Sequence, residues 1–292
     1  MQQLLEKKLK PAQQTLLDSL QDKVNLKVGF KDKVAEAQLL WKSKGGDKGK
    51  AAFKEIKKGL EAMCVSVKAC NYCEGNEAND IEHIYPKSFF PEKAFVWNNY
   101  LLACKQCNTG YKLDKCFVLD DGGNVHTTIR GTEPIHKTVA IVNPRIEDPR
   151  AFFWLNTRVW RFEINDDLSS QDKNKAEKTL EILELNNRAY LINGRKETHG
   201  KLFDKMDRLK RIINALTIHD IEDALAPYHG ENGMVDLTLP IDSIKKQVIA
   251  STQQHIKKQL YPSVWYAIKT ISSKTDSKWK SIFDTIPEAV DW

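Results

Sequence analysis

Apolar residues recur at about every third or fourth position over most of the chain, the spacing of amphipathic helices. Leu16, Leu17, Leu20 and Val24 predict a helix over residues 11–24, with Pro11 suited to its first turn. Val34, Ala37, Leu40 and Trp41 predict a second over 32–42, and Phe53, Ile56, Leu60, Met63 and Val67 a third over 51–68. Lys44-Gly45-Gly46-Asp47-Lys48-Gly49 between them is a flexible loop by composition. Downstream, helices are expected over 173–185, 187–218 (one long helix or a pair), 243–260 and 262–273, with a loop and a short strand over 230–240. Period-two alternation is confined to short stretches. Ile81, His83 and Tyr85 alternate with Glu82 and Ile84 until Pro86, and residues 96–103, 137–142 and 158–164 are further strand candidates. The pattern predicts an α+β protein that is mostly α-helical, without internal repeats.

The 292 residues suit one large domain or two ordinary ones, and 41% apolar content is enough for a sizeable core. Apolar runs last only a few residues, as at Ala151 to Leu155, against the roughly 18 that a membrane helix needs. Collagen-like, disordered and membrane-embedded classes are excluded. No secretory leader is evident, so the expected location is cytoplasmic. The net charge of +6 is unevenly placed: residues 1–69 carry 15 Lys and 8 acids, and the remainder is nearly balanced. A Lys-only basic segment suits a phosphate-rich partner, although a solvated helix face has the same composition. Three segments follow: a helical, Lys-rich region over 1–68, a compact cysteine-bearing core over 69–120, and a mainly helical region over 121–292.

Four of the six cysteines form two pairs, Cys70-x-x-Cys73 and Cys104-x-x-Cys107. A two-residue spacer lets both sulfurs of one turn face a single point, and a second such knuckle completes a four-thiolate cage for a structural Zn²⁺. The alternatives are four buried free cysteines or one redox pair. Cys64 and Cys116 lie outside the knuckles and are expected to be packing residues.

Between and around the knuckles lie Glu82-His83-Ile84-Tyr85-Pro86-Lys87-Ser88, then Trp97-Asn98-Asn99-Tyr100-Leu101-Leu102-Ala103, then Asn108 and Lys112. A helix starting near Lys105 would place Asn108 and Lys112 on one face. Strand, loop, strand and helix then make a unit of about 45 residues, small enough to need a metal staple. Over Cys70 to Lys112 this resembles the HNH nucleases, a ββα-metal core stapled here by a four-cysteine zinc site and flanked by helical N- and C-terminal regions.

The resemblance implies a role for each motif position. His83 is the general base that draws a proton from water. Asn99 is the central Asn, suited to orienting the imidazole through its amide; Asn98 competes with it, and the five-residue spacing to Cys104 selects Asn99. Glu82 and Asn108 are the ligands of the catalytic ion. Asn108 stands where many members have His, and an oxygen ligand favours Mg²⁺ or Mn²⁺. Lys87 and Lys112 are candidate nucleic-acid phosphate contacts. Asp80 is expected to be only a neighbour. His126, His136, His199, His219, His229 and His255 stand in no partner pattern and are expected to be structural.

The same segments, with Asn143-Pro144-Arg145, Asp148-Pro149 and Ala176 to Asn186, also resemble the HNH subunit of Septu-type anti-phage systems, the PtuB-like group, whose relatives accompany retrons. That resemblance implies an ATPase partner and a nucleic-acid substrate: DNA by the habit of the wider family, or a structured RNA such as tRNA. The competing reading is a non-catalytic zinc-ribbon adaptor for nucleic acid or protein, which would have no need of His83, Asn99 or Asn108.

Overall fold

The computed structural model describes residues 1–64, 67–226 and 235–292. Its chain divides into two compact units, Met1–Trp154 with Arg161–Leu191, and Leu155–Trp160 with Ile192–Trp292.

The first unit opens with three helices, α1 (Pro11–Asn25), α2 (Phe30–Ser43) and α3 (Asp47–Glu61). Pro11 sits in the first turn of α1, and the stripe Leu17, Leu20, Gln21 and Val24 is buried. Helix α2 ends on Lys44 in the left-handed conformation at φ 55°. Helix α3 then starts so close behind it that a Cβ on Gly49 would lie 1.6 Å from the Lys44 carbonyl oxygen. Only glycine allows this turn, which fixes Trp41 and Lys44 at the end of α2. The glycine-rich stretch expected as a loop is therefore a tight corner followed by helix from Asp47. Helix α3 stops at Glu61 and does not reach residue 68; Ala69 already bridges Glu77 in antiparallel fashion. Residues 65 and 66 of the predicted helix lie outside the described residues.

Strands β1 (Asp80–His83) and β2 (Tyr100–Ala103) pair antiparallel, with Asp80 opposite Ala103 and His83 opposite Tyr100. The second strand is shorter than its hydrophobic run suggests, because Trp97–Asn99 winds into a 3₁₀ turn. A π-helical segment, Gln106–Lys112, follows β2. Next come β3 (Phe117–Leu119), β4 (Val125–Thr127) and β5 (Thr138–Val139), forming a sheet in the order β4-β3-β5. Helix α4 (Pro149–Phe152) and strands β6 (Phe153–Asn156) and β7 (Arg161–Ile164) precede α5 (Ser170–Leu183), which is N-capped by Ser169.

Arg145 locks this unit internally. Its buried guanidinium donates to Glu6 at 2.9 and 2.6 Å, to the carbonyls of Trp97 (3.0 Å) and Tyr100 (2.6 Å), and to Asn98 Oδ1 at 3.3 Å. The Asn143-Pro144-Arg145 motif thus anchors the entry to β2.

Helix α6 (Ala189–Asn214) carries the chain into the second unit, which continues with α7 (Ile218–Leu225), α8 (Ile241–Lys258), α9 (Pro262–Ala267), a π-helical segment at Ile268–Ser272, α10 (Ser273–Thr275), α11 (Ser277–Thr285) and a 3₁₀ turn at Pro287–Asp291. Leu202, Met206, Leu209, Ile212, Ile221, Ile244 and Trp279 are buried there. Thr217 and Asp220 form a capping box on α7. Residues 230–234 of the predicted loop, and His229, lie outside the described residues. Among the described residues no helix is long and apolar enough to cross a membrane.

Candidate active site and metal centre

The four knuckle cysteines converge. Cys70, Cys73, Cys104 and Cys107 are buried, and their sulfurs all lie within 4.8 Å of one another. Cys73 Sγ and Cys104 Sγ are 3.9 Å apart. Tetrahedral zinc with bonds of about 2.3 Å would place sulfurs about 3.8 Å apart, so the cluster could hold the ion with little movement. The surroundings suit thiolates. Arg188 donates from both terminal nitrogens to Cys107 Sγ at 3.4 Å, and Asn76 Nδ2 and the Cys107 amide point at Cys104 Sγ at 3.8 and 3.5 Å. Such donors orient and stabilise sulfur ligands from outside the coordination sphere. Cys64 and Cys116 lie outside the cluster. Burial raises both their thiols to about 11, which keeps them protonated.

His83, at the end of β1, is 5% exposed. Its Nε2 lies 2.9 Å from the carbonyl oxygen of Ala94. A carbonyl only accepts, so Nε2 carries the proton of the neutral ring and Nδ1 keeps the lone pair. Burial drives the imidazole well below the usual histidine range; Lys87, Lys112 and Lys44 push the same way, and only the Ala94 carbonyl opposes them. The ring is packed between Trp41 (centroids 4.2 Å apart) and Tyr100 (5.1 Å).

The loop that carries Ala94 is held from several directions. Gln21, buried on α1, accepts from the Phe95 amide at 2.8 Å and donates to the Pro91 carbonyl at 3.1 Å. Tyr100 Oη donates to the Ala94 carbonyl at 2.7 Å. Asn99 accepts from the Tyr85 amide at 2.7 Å and donates to the carbonyls of Tyr85 (3.0 Å) and Lys93 (2.8 Å). Its side-chain amide is thus spent on backbone and not on the imidazole, which corrects the role expected for it. It acts one step removed, by fixing the segment whose next carbonyl holds the ring. Asn98 is exposed, whereas Asn99 is 3% exposed.

Glu82 and Lys112 are both buried and meet as an ion pair at 2.5 Å. Lys112 Nζ also donates to the His83 carbonyl at 2.7 Å. Burial raises the Glu82 carboxyl above its usual range, against the pull of Lys112 and Lys87. Lys112 therefore lies inside the site, bound to β1, and not on the surface as a simple phosphate contact would. Asn108, on the π-helical segment, donates to Asp80 Oδ2 at 3.1 Å. That bond commits the amide nitrogen and leaves the amide oxygen as the atom that could ligate a cation. Asp80, expected to be a bystander, orients Asn108.

Glu82, His83, Lys87, Asn108 and Lys112 line one cleft of about 190 Å³, with Gln38 and Trp41 as its α2 wall. Glu82 and His83 reach the same cleft although they are consecutive on a strand. Lys44 Nζ lies 2.9 Å from the Trp41 ring centroid and 4.6 Å from that of Phe53. Burial, and then Lys87, lower its ammonium to about 7. A carboxylate and an amide oxygen are donors suited to a hard divalent cation, and the Glu82 carboxylate already has one cation, Lys112, against it.

Sequence reasoning does not single out Trp41, Gln21 or Arg188, and it names Arg145 only within the Asn143-Pro144-Arg145 motif. Trp41 is readable only as one more residue of an amphipathic stripe. Gln21 has a weak signal, a polar residue beside Leu20 and Val24 on a stripe that proves to be buried.

No curated protein and no solved structure matches the chain. Residues 70–112, which include both knuckles, His83, Asn99, Asn108 and Lys112, match the family model of the HNH endonucleases.

Proposed function

We propose that the protein is a metal-dependent endonuclease that hydrolyses phosphodiester bonds through His83, with residues 69–120 as a ββα-metal core. One observation carries the reading: a neutral imidazole held through Nε2–H on Ala94, with no hydrogen bond to Nδ1 among the described residues, in a cleft lined by lysines. HNH nucleases use divalent metals, and the oxygen donors Glu82 and Asn108 fit Mg²⁺ or Mn²⁺. Such an ion, when bound, polarises the phosphoryl group and stabilises the leaving oxygen.

The chain's own residues do the rest. His83 Nδ1 takes a proton from the attacking water and stays unprotonated at neutral pH because its surroundings disfavour the imidazolium. Lys87 meets phosphate charge at the cleft, and Lys112 opposes the effect of burial on the Glu82 carboxyl and holds it in place. Asn99 and Gln21 hold the loop that fixes the ring. The knuckles tie the start of β1 to the end of β2 through zinc.

DNA is the favoured substrate on the habit of HNH nucleases, with structured RNA as the second. The outer motifs Asn143-Pro144-Arg145 and Ala176 to Asn186 support a place in a Septu-like anti-phage system beside an ATPase subunit in the cytoplasm. The deciding experiment is cleavage of DNA and of tRNA by purified protein with Mg²⁺ or Mn²⁺, with and without the neighbouring ATPase. His83→Ala should lose about 10²–10⁴-fold in rate while retaining zinc and substrate binding. Parent-like cleavage by that variant would overturn the reading in favour of the zinc-ribbon adaptor.

A further inference from the structure

A second group of metal-ligating side chains lies away from the cleft and the cysteine cage. Asp120, His126 and His136 are separated in sequence, and each offers one ligand atom within 4.8 Å of the others. The fold brings them together. Asp120 directly follows β3, His126 is the middle residue of β4, and His136 lies just before β5, the strand on the other side of β3.

The carboxylate is held in position. Asp120 accepts from the Asn124 backbone amide at 2.8 Å and from the Asn124 side chain at 3.3 and 3.1 Å. Asp120 Oδ2 is 2.8 Å from His126 Nε2, and the two imidazole rings lie 4.6 Å apart, inclined by 35°. His126 is about half exposed, and His136 makes no side-chain hydrogen bond among the described residues. Two imidazoles facing each other beside an oriented carboxylate contribute little to a core at this surface position.

We propose that Asp120, His126 and His136 form a binding site for a borderline divalent transition ion, of which Zn²⁺ is the representative. Two nitrogens and one oxygen suit such an ion, whereas a hard ion prefers oxygens and a soft one thiolates. Ligands on a tetrahedral zinc with bonds of about 2.0–2.1 Å are about 3.4 Å apart, so the widest pair must close by at most about 1.5 Å. Rotation of the unrestrained His136 ring supplies that movement. Three protein ligands at the surface leave a coordination position to water, so this ion exchanges with solvent, unlike one enclosed by four buried sulfurs. It ties the residues before β5 to the β3–β4 turn. Asn124 is a positioning residue for the site.

The test does not depend on nuclease activity. Protein whose cysteine site is already loaded with zinc is titrated with Zn²⁺ by calorimetry, and zinc per chain is then measured after gel filtration. The expected result is one further ion per chain. His126→Ala and His136→Ala should each weaken it by more than about tenfold, and Asn124→Ala by about tenfold. Mg²⁺ in excess should not compete. Asn124 and His126 are exposed and His136 is partly exposed, and circular dichroism checks that the variants fold. Absence of a second ion overturns the proposal. So does a second ion that persists in the His126→Ala/His136→Ala double variant, because it must then be held elsewhere.

Discussion

Replacing Asn99 by alanine removes three hydrogen bonds at a position that is 3% exposed. The Tyr85 amide loses its acceptor, and the carbonyls of Tyr85 and Lys93 lose donors at 3.0 and 2.8 Å. At about 1 kcal/mol net per bond the loss is about 3 kcal/mol, and it is greater if water cannot reach the stranded amide. For a unit of this size that corresponds to roughly 6–12 °C in melting temperature. Asn98→Ala is the matched control: its neighbouring side chain is exposed and accepts only one bond, at 3.3 Å from Arg145. Asn99→Asp should not rescue, because it restores the acceptor for the Tyr85 amide but sets a carboxylate against two carbonyls. Thermal unfolding followed by circular dichroism, with zinc content checked in parallel, measures all three. If Asn99→Ala melted within a degree or two of Asn98→Ala, the loop would not depend on this side chain, and the account of how the imidazole is held would fail.

Cys70→Ser or Cys107→Ser should drop the zinc content by about one ion per chain and destabilise the first unit, because metal binding there is folding energy; metal analysis of purified variants checks this, and full retention refutes the cage. Asn108→Ala and Glu82→Ala should lower cleavage by weakening the catalytic ion, so raising Mn²⁺ should restore part of the rate for either, whereas His83→Ala should not respond to metal concentration. Below about pH 6.5 the unfolded chain protonates His83's imidazole while the folded one does not, so stability should fall as pH drops through that value and be unaffected by this group above it. Urea midpoints measured from pH 8 to 5 should show a steeper acid loss for the parent than for His83→Gln. Equal slopes would mean that the imidazole is not held neutral in the fold.

The parts of the site legible in the sequence are those specified by local spacing. The two Cys-x-x-Cys knuckles, the Glu82-His83 strand and the Asn99 to Cys104 interval concern residues a few positions apart, where backbone geometry limits the outcomes. The α1 boundary is legible for the same reason: Pro11 opens it and the Leu17 to Val24 stripe continues it. Contributions that depend on how distant segments pack are not legible. Trp41 meets His83 through the packing of segments far apart in the chain, beside the tight corner that Gly49 allows. Arg188 reaches Cys107 across 81 positions, and no local motif marks it. The two histidines beside Asp120 read as structural because neither stands at ligand spacing along the chain; strand order, not sequence interval, makes them neighbours.

The Ala94 carbonyl has two lone pairs, and both are engaged, one by His83 Nε2–H and one by the Tyr100 hydroxyl. Turning the imidazole over would bring a C–H or a lone pair against that oxygen, so the ring has one orientation and only one nitrogen through which protons can be exchanged. A ring that accepts a proton there becomes a cation among Lys87, Lys112 and Lys44, and all three make that state costly. In the proposed hydrolysis, a proton taken up at that nitrogen would pass on to the leaving oxygen or to solvent water, and the charges around the ring favour that release.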